Sequence, residues 1–292
     1  MDPLRVKLVD LWYARELLRQ FVAKELKIRY KNSALGFLWS LLTPALMTVV
    51  FTALFGFAFR LDIDDYAPFF LSGYLLWQFF QTSSQSSITA IVGNGALIKK
   101  VYFPREVLPL SMVLAQLTHF LLAFLVLSPF LIATRGWGVV IHLPAALVVV
   151  AILAVFTGGM AMIWAGANVP FRDLQELIVV IFLVWFYATP VLYPPALLSA
   201  SDNAVVNALG RVTEANPMSW FVELFRTATF GQVTAVPGGG SGGGVTGIEF
   251  VTTPPTWPDP ELFALAAAFS LLVFSVGYVF FNRLALTFAK EV

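Results

Sequence analysis

Six times along the chain an apolar stretch long enough to cross a bilayer recurs, at Phe37–Phe59, Ala67–Val92, Val107–Thr134, Leu143–Ala167, Leu174–Tyr193 and Leu262–Phe281. No Asp, Glu, Lys or Arg stands inside any of them away from the ends. A helix needs roughly 20 residues to cross the hydrocarbon core. Apolar residues make up 59% of the chain and charged residues 12%, where a soluble domain carries about 25% charged residues. No water-soluble fold could hide that much apolar surface. We expect an all-α integral membrane protein of six transmembrane helices.

Basic residues orient the spans, because cytoplasmic segments retain Lys and Arg. With the N-terminus inside, 14 of the 18 basic residues fall on the cytoplasmic side and 4 (Arg60, Arg135, Arg211 and Arg226) outside. Both termini are therefore expected in the cytoplasm. The first apolar run starts too late for a cleavable signal, so the chain is expected to begin at Met1.

Two further regions stand apart from the spans. Within residues 4–31, Leu4, Leu8, Leu11, Trp12, Leu18, Phe21 and Val22 recur at helical spacing, with Arg5, Lys7, Arg15, Arg19, Lys24 and Lys27 between them. This predicts a basic amphipathic helix on the cytoplasmic leaflet, serving as an anchor or as a contact for a cytoplasmic partner. We divide the chain into this interface helix, 1–34, and a membrane-spanning domain, 35–292, with a long external loop at 194–261. That loop predicts short helices at Ser201–Thr213 and Pro217–Thr229, the second opened by Asn216 as cap and Pro217 in the first turn. Trp220, Phe221, Leu224 and Phe225 lie beside Glu223 and Arg226, as in a helix dipping into the membrane interface. The glycine-rich run at 237–244 reads as a flexible insertion.

The chemistry available inside the spans is narrow. His119 is the one intramembrane ionisable group, and a hydrogen-bonded packing role suits it. Ion-coupled transporters carry buried carboxylates or bases for the driving ion, so this composition argues against one. Metal sites need clustered ligands, and the absence of cysteine removes thiolate chemistry and disulfides. The acidic cluster Asp62, Asp64 and Asp65 reads as a solvated turn. No GxxxxGK[ST] phosphate loop occurs, so any ATP at work is bound by another polypeptide. The net charge of +1 points to no nucleic-acid partner.

The second span carries the one polar signal within the membrane. Gln78, Gln81, Gln85 and Thr89 share a helix face below Tyr74 and Trp77, with Ser83, Ser84, Ser86 and Ser87 alongside. Amides facing lipid tails would lack partners at a cost of several kcal/mol. The stripe must therefore face protein, as helix–helix glue, or a water-filled path. Trp39, Trp77, Trp164, Trp185 and Tyr187 are among the aromatics that form 15% of the chain. Such rings suit a wall along which a sugar chain slides, or an interfacial belt.

Four collinear stretches resemble a known family. RYKNSALGFLWSLLTPALM (Arg29–Met47), NGALIKKVYFPREVLPL (Asn94–Leu110), NVPFRDLQELIVVIFLVWFYATPVLYP (Asn168–Pro194) and NPMSWFVELFR (Asn216–Arg226) look like the ABC transporter permeases that export polysaccharides of the O-antigen and teichoic-acid type. The resemblance implies a homodimer of six-span permeases in the inner membrane, bound to two copies of a separate ATPase that holds the ATP and Mg. It implies no cofactor or catalysis in this chain, and a lipid-linked polysaccharide as substrate. Lys99, Lys100, Tyr102, Phe103, Pro104, Arg105 and Glu106 match the family's ATPase-coupling segment, and Arg172 and Asp173 match its second cytoplasmic contact. The short external helices, with Asn216, Pro217, Trp220, Phe221 and Phe225, correspond to its gate helices. Tyr74, Trp77, Gln78, Gln81 and Gln85 are expected to line the channel. The glycine-rich insertion and Ile248–Trp257 fit no part of the family pattern. A cell-wall galactan is one candidate cargo, and a drug or lipid exporter of the same architecture is the alternative.

Overall fold

The computed structural model describes residues 14–30, 38–59, 63–199, 204–237, 248–285 and 288. The expected helical residues 4–13, the loop residues Arg60 and Asp62, Ser201–Asn203 and most of the glycine-rich run lie outside the described residues. Helix α1 covers Arg15–Tyr30 and α2 covers Leu38–Phe51, which runs on as a π-helical segment over Thr52–Ala58. Next come α3 (Tyr66–Ile88), α4 (Gly95–Lys100), α5 (Val107–Arg135), α6 (Gly138–Ala167) and α7 (Leu174–Ala188). The segment between α7 and the last helix holds α8 (Ala196–Ser199), α9 (Ala204–Ala215) and α10 (Pro217–Thr229). A strand β1 (Val233–Pro237) and a strand β2 (Ile248–Thr252) precede α11 (Pro260–Ala285).

The chain is a multi-pass membrane protein. Among the described residues four helical segments, Leu41–Ala58, α5, α6 and α11, are long and apolar enough to cross a membrane. The other two expected spans are also helical, yet each differs from a simple apolar rod. The 23-residue α3 is diluted by its Gln and Ser residues, and α7 has 15 residues where 20 were expected. The shortening has a local cause. Pro190 lacks an amide hydrogen and biases the residue before it away from helix, and Thr189 is accordingly extended at φ −99°, ψ 134°.

Helix α6 is the centre of the packing, touching α3, α5, α10 and α11. Its closest neighbour is α11, and glycine makes that possible. A Cβ at Gly159 would stand 2.7 Å from the backbone of Phe274, and one at Gly277 would meet the Gly159 carbonyl oxygen. Between apolar helices in lipid, such close backbone approach replaces the hydrophobic drive that water would supply. Around α6 a large core gathers Phe69, Phe70, Trp77, Phe80, Phe156, Phe182, Phe221 and Phe225. A smaller core at the other end joins Phe21 of α1, Ile98, Phe103, Leu108, Phe281 and Phe288. Helix α7 buries only Ile178 and Phe182, leaving Leu177, Val180, Leu183 and Val184 exposed.

The segment between α7 and α11 holds one feature that sequence did not anticipate and one correction. The chain flanking the glycine-rich run is ordered as an antiparallel hairpin, with Val233 opposite Thr252 and Pro237 opposite Ile248. Arg135 secures its base, its Nε donating to the Phe230 carbonyl and its Nη2 to the Thr253 carbonyl, both at 2.9 Å. Arg135 also pairs with Asp65 at 3.7 Å, so that acid is part of an ion pair as well as a turn. The correction concerns α10. Ten of its 13 residues are buried, so it is a core helix where an interfacial one was expected.

Introducing Leu at Gly159 or Val at Gly277 should separate α6 from α11, at a cost of about 1–3 kcal/mol or more for overpacking. The expected result is a lower melting temperature and less monodisperse protein in detergent, read by fluorescence-detected size exclusion.

Candidate functional site

Three surfaces hold the residues singled out from sequence. The first is the turn from α4 into α5. Lys99, Lys100 and Val101 are exposed, and Tyr102 is 99% exposed. Phe103 turns inward against Phe21 of α1, ring centroids 6.3 Å apart. Arg105 donates to the Ala285 carbonyl at the end of α11 and lies over the Phe288 ring, while Glu106 is buried and Pro104 is half-buried. The seven residues thus divide. Phe103 and Arg105 direct their side chains to α1 and α11, and Glu106 is buried. Lys99, Lys100 and Tyr102 project from the turn. Arg172 and Asp173 stand exposed before α7 beside Phe171, on an open concave surface. Asn168 fastens that turn to the end of α3 through its Nδ2 donating to the Ile88 carbonyl at 3.0 Å.

The second surface is the polar face of α3, and its hydroxyls and amides part company. Ser83, Ser84 and Ser87 are fully buried; Ser87 donates to the Ser83 carbonyl at 2.7 Å. Tyr74, Gln78, Gln81 and Gln85 remain half-buried at the edge of the packed helices. Trp77 does not join them. It is 1% exposed, wedged among Phe80, Phe182, Trp185 and Phe186, with its Nε1 donating to Gln81 Oε1 at 2.9 Å. The indole thus lies behind Gln81 and holds its amide oxygen. Sequence reading missed the neighbours of this face. Arg29 of α1 donates to Gln116 Oε1 at 2.6 Å, and Gln116 Nε2 donates to Ser86 Oγ at 3.2 Å, forming a polar chain across α1, α5 and α3. Its members are 87 and 30 residues apart in sequence, so no local spacing could reveal it.

The third surface is the outer bundle of α9 and α10. Asn216 caps α10, its Oδ1 accepting from Met218 N at 3.0 Å and from Trp185 Nε1 at 2.8 Å. Its Nδ2 donates to the Ala188 carbonyl and to Thr189 Oγ1, so the same side chain caps one helix and terminates another. Pro217 occupies the first turn, and Phe221 and Phe225 pack on Phe156, Phe120 and Phe124. Trp220 leans edge-on to Phe269 and donates from Nε1 to the Glu214 carbonyl at 2.7 Å.

Arg226, read from sequence as one face of an amphipathic helix, is 5% exposed. Its Nη1 donates to the Pro190 carbonyl at 3.0 Å and its Nη2 to the Val191 carbonyl at 3.3 Å, and its guanidinium lies 3.8 Å from the Phe69 ring centroid. Burial lowers its pKa to about 9, opposed by Tyr66 and Glu223, so it stays charged at neutral pH. Gly73 of α3 admits this arrangement, since a Cβ there would stand 2.6 Å from Arg226 Nη2. The signal that could have found it is Pro190, which ends α7 and leaves carbonyls in want of donors.

A family described as ABC-2 type transporter matches residues 16–230, from α1 through α10. The chain belongs to the ABC-2 type transporter family. Relatives of this ABC-2 type chain include the O-antigen export system permease protein RfbA of Myxococcus xanthus, 40% identical over 185 residues that cover 63% of this chain and 71% of that protein. The protein of the same name from Klebsiella pneumoniae is 35% identical over 68% of this chain and 76% of its own length. The capsule polysaccharide export inner-membrane protein CtrC of Neisseria meningitidis is 26% identical over 75% of this chain and 80% of its own length. All three surfaces lie within the matched residues of this ABC-2 type permease, whereas the hairpin and α11 lie beyond them. Among the described residues no group of three or more His, Cys, Asp or Glu is placed to hold a metal.

Arg226→Ala should leave two carbonyls at the end of α7 without donors, lowering stability by about 2–4 kcal/mol. Asn216→Ala should cost about 1–2 kcal/mol through the lost cap. Detergent melting curves of the purified chain check both, with Arg226→Ala expected to be the worse.

Proposed function

We propose that this chain is the transmembrane permease subunit of an ATP-driven exporter of lipid-linked polysaccharide in the inner membrane. Two copies enclose the path, and two copies of a separate ATPase supply the work. The likeness to three permeases named for O-antigen and capsule polysaccharide export carries this reading. Six spans follow if the 23 residues of α3 and α7 with its extended continuation both cross. A polar α3 in that place has a physical reason: its half-buried amides serve a wet path better than lipid. Both termini are then cytoplasmic, and α1 lies flat on the inner leaflet.

In this arrangement the ATPase seats on Lys99, Lys100 and Tyr102 and on Arg172 and Asp173. The inward anchors Phe103 and Arg105 pass its movement to α1 and α11. Helix α7 runs from Arg172 and Asp173 outward to Thr189, where Asn216 and Arg226 grip it. Movement at the cytoplasmic contact is thereby delivered to the gate helices α9 and α10. Tyr74, Gln78, Gln81 and Gln85 face the cargo, offering one aromatic ring and amides that exchange hydrogen bonds with hydroxyl groups without holding any one sugar tightly. The chain itself performs no bond chemistry.

Vesicles reconstituted with this chain, its ATPase and a lipid-linked glycan should transfer glycan only with ATP. Transfer by this chain alone under an ion gradient would overturn the reading, and transfer of lipid or drug in place of glycan would change the cargo. Replacing Gln78 and Gln81 together with Leu should slow glycan transfer about tenfold or more while the complex still assembles. Ala at Lys99, Lys100 and Tyr102 should reduce recovery of the ATPase by pull-down.

A further inference from the structure

A cavity of about 630 Å³ opens beside the gate helices, walled by α8, α9, α10 and the start of α11. It lies within the size range of pockets that take small ligands. Its chemistry differs from the path-facing stripe. Trp220 lies in its wall, and Glu223, Asp259, Arg211 and Asn207 converge on the same space from three elements.

Three observations mark it as a ligand site as opposed to a packing defect. Ser219 lines the cavity at 4% exposure, and its hydroxyl has no hydrogen-bond partner among the described residues. A buried polar group left unpaired costs free energy, which a bound hydroxyl or water removes. Trp220 is held in place by its bond to the Glu214 carbonyl and its edge contact with Phe269, so its ring is a fixed surface. Glu223 forms no ion pair within 4 Å among the described residues, although it reaches the cavity. Partial desolvation raises its carboxyl above the usual range, with Arg226 opposing the rise and Asp259 adding to it, and the side chain still reaches solvent.

The lining selects one ligand class. Carboxylates and amides accept and donate hydrogen bonds to vicinal hydroxyls, while an indole covers the C–H face of a sugar ring. Three carboxylates (Glu214, Glu223 and Asp259) against Arg211 leave the lining net negative, which repels uronic acids and phosphates. The neighbouring Arg226 does not reverse this, since its guanidinium is committed to Pro190, Val191 and Phe69.

We propose that this cleft is a saccharide-binding site for uncharged sugar units, separate from the α3 face, that holds glycan as it leaves the outer mouth. The proposal rests on the exporter reading for its outward placement, and on the cleft alone for its ligand. Placed against the gate helices, an occupied cleft would brace α9 against α10 and disfavour backward slippage.

Binding is tested on the full-length chain in nanodiscs with its ATPase, by saturation-transfer NMR. The probes are neutral trisaccharides of glucose, galactose and mannose, with trigalacturonate as the anionic counterpart. At least one neutral trisaccharide should bind, with trigalacturonate about tenfold or more weaker. Trp220→Ala and Asn207→Ala should each weaken the neutral probe about tenfold, whereas Trp137→Ala, at an exposed indole elsewhere, should not. The double change Glu223→Gln with Asp259→Asn should raise trigalacturonate binding, which a merely structural role would not do. No binding by any neutral probe, or binding unchanged in both Trp220→Ala and Asn207→Ala, would overturn the site. ATP-driven glycan transfer in the same nanodisc composition, re-formed as vesicles, would then still stand or fall separately.

Discussion

Lipid offers a peptide group no hydrogen-bond partner, and one half of this molecule is organised around that constraint where α7 stops. At Thr189 and Pro190 the helical ladder breaks and carbonyls of Ala188, Pro190 and Val191 are left over. Side chains from the following helices fill the deficit: Asn216 and Thr213 donate to Ala188, and Arg226 to Pro190 and Val191. The same contacts hold α10 in the core. Satisfying a broken helix and seating α10 are thus one set of bonds.

The opposite end of the bundle shows a comparable economy of parts. Phe103 and Arg105 are taken up by contacts with α1 and α11, which leaves Tyr102 and the two lysines projecting from the turn. Helix α7 has the opposite character. Within this one chain it is buried at only two positions, and Phe182 and Trp185 meet Trp77 of α3.

Between these ends the polar residues of α3 divide by burial. Ser83, Ser84 and Ser87 are enclosed in the bundle, Ser87 also reaching the Pro109 carbonyl of α5 at 3.4 Å, and the glutamines stay at the edge. Trp77 sits between them, its ring among aromatics and its indole N–H on Gln81. Gln81 is therefore oriented by protein on one side and left available on the other.

Sequence by itself determined that the chain lives in a membrane and carries several apolar helices long enough to cross it, where α10 starts and stops, and the family to which it belongs. These follow from local quantities: apolar run length, charge at the breaks, and an Asn-Pro cap. Tertiary structure alone decided that α10 is core, that Arg226 is buried, that Phe103 and Trp77 point inward, and that strands flank the glycine-rich run. Each depends on partners dozens of residues away, such as Pro190 for Arg226 and Phe182 for Trp77. Helical spacing says which side chains share a face. What that face meets is set by how the helices pack, and in a bundle apolar on every side the pattern carries no mark of inside and outside.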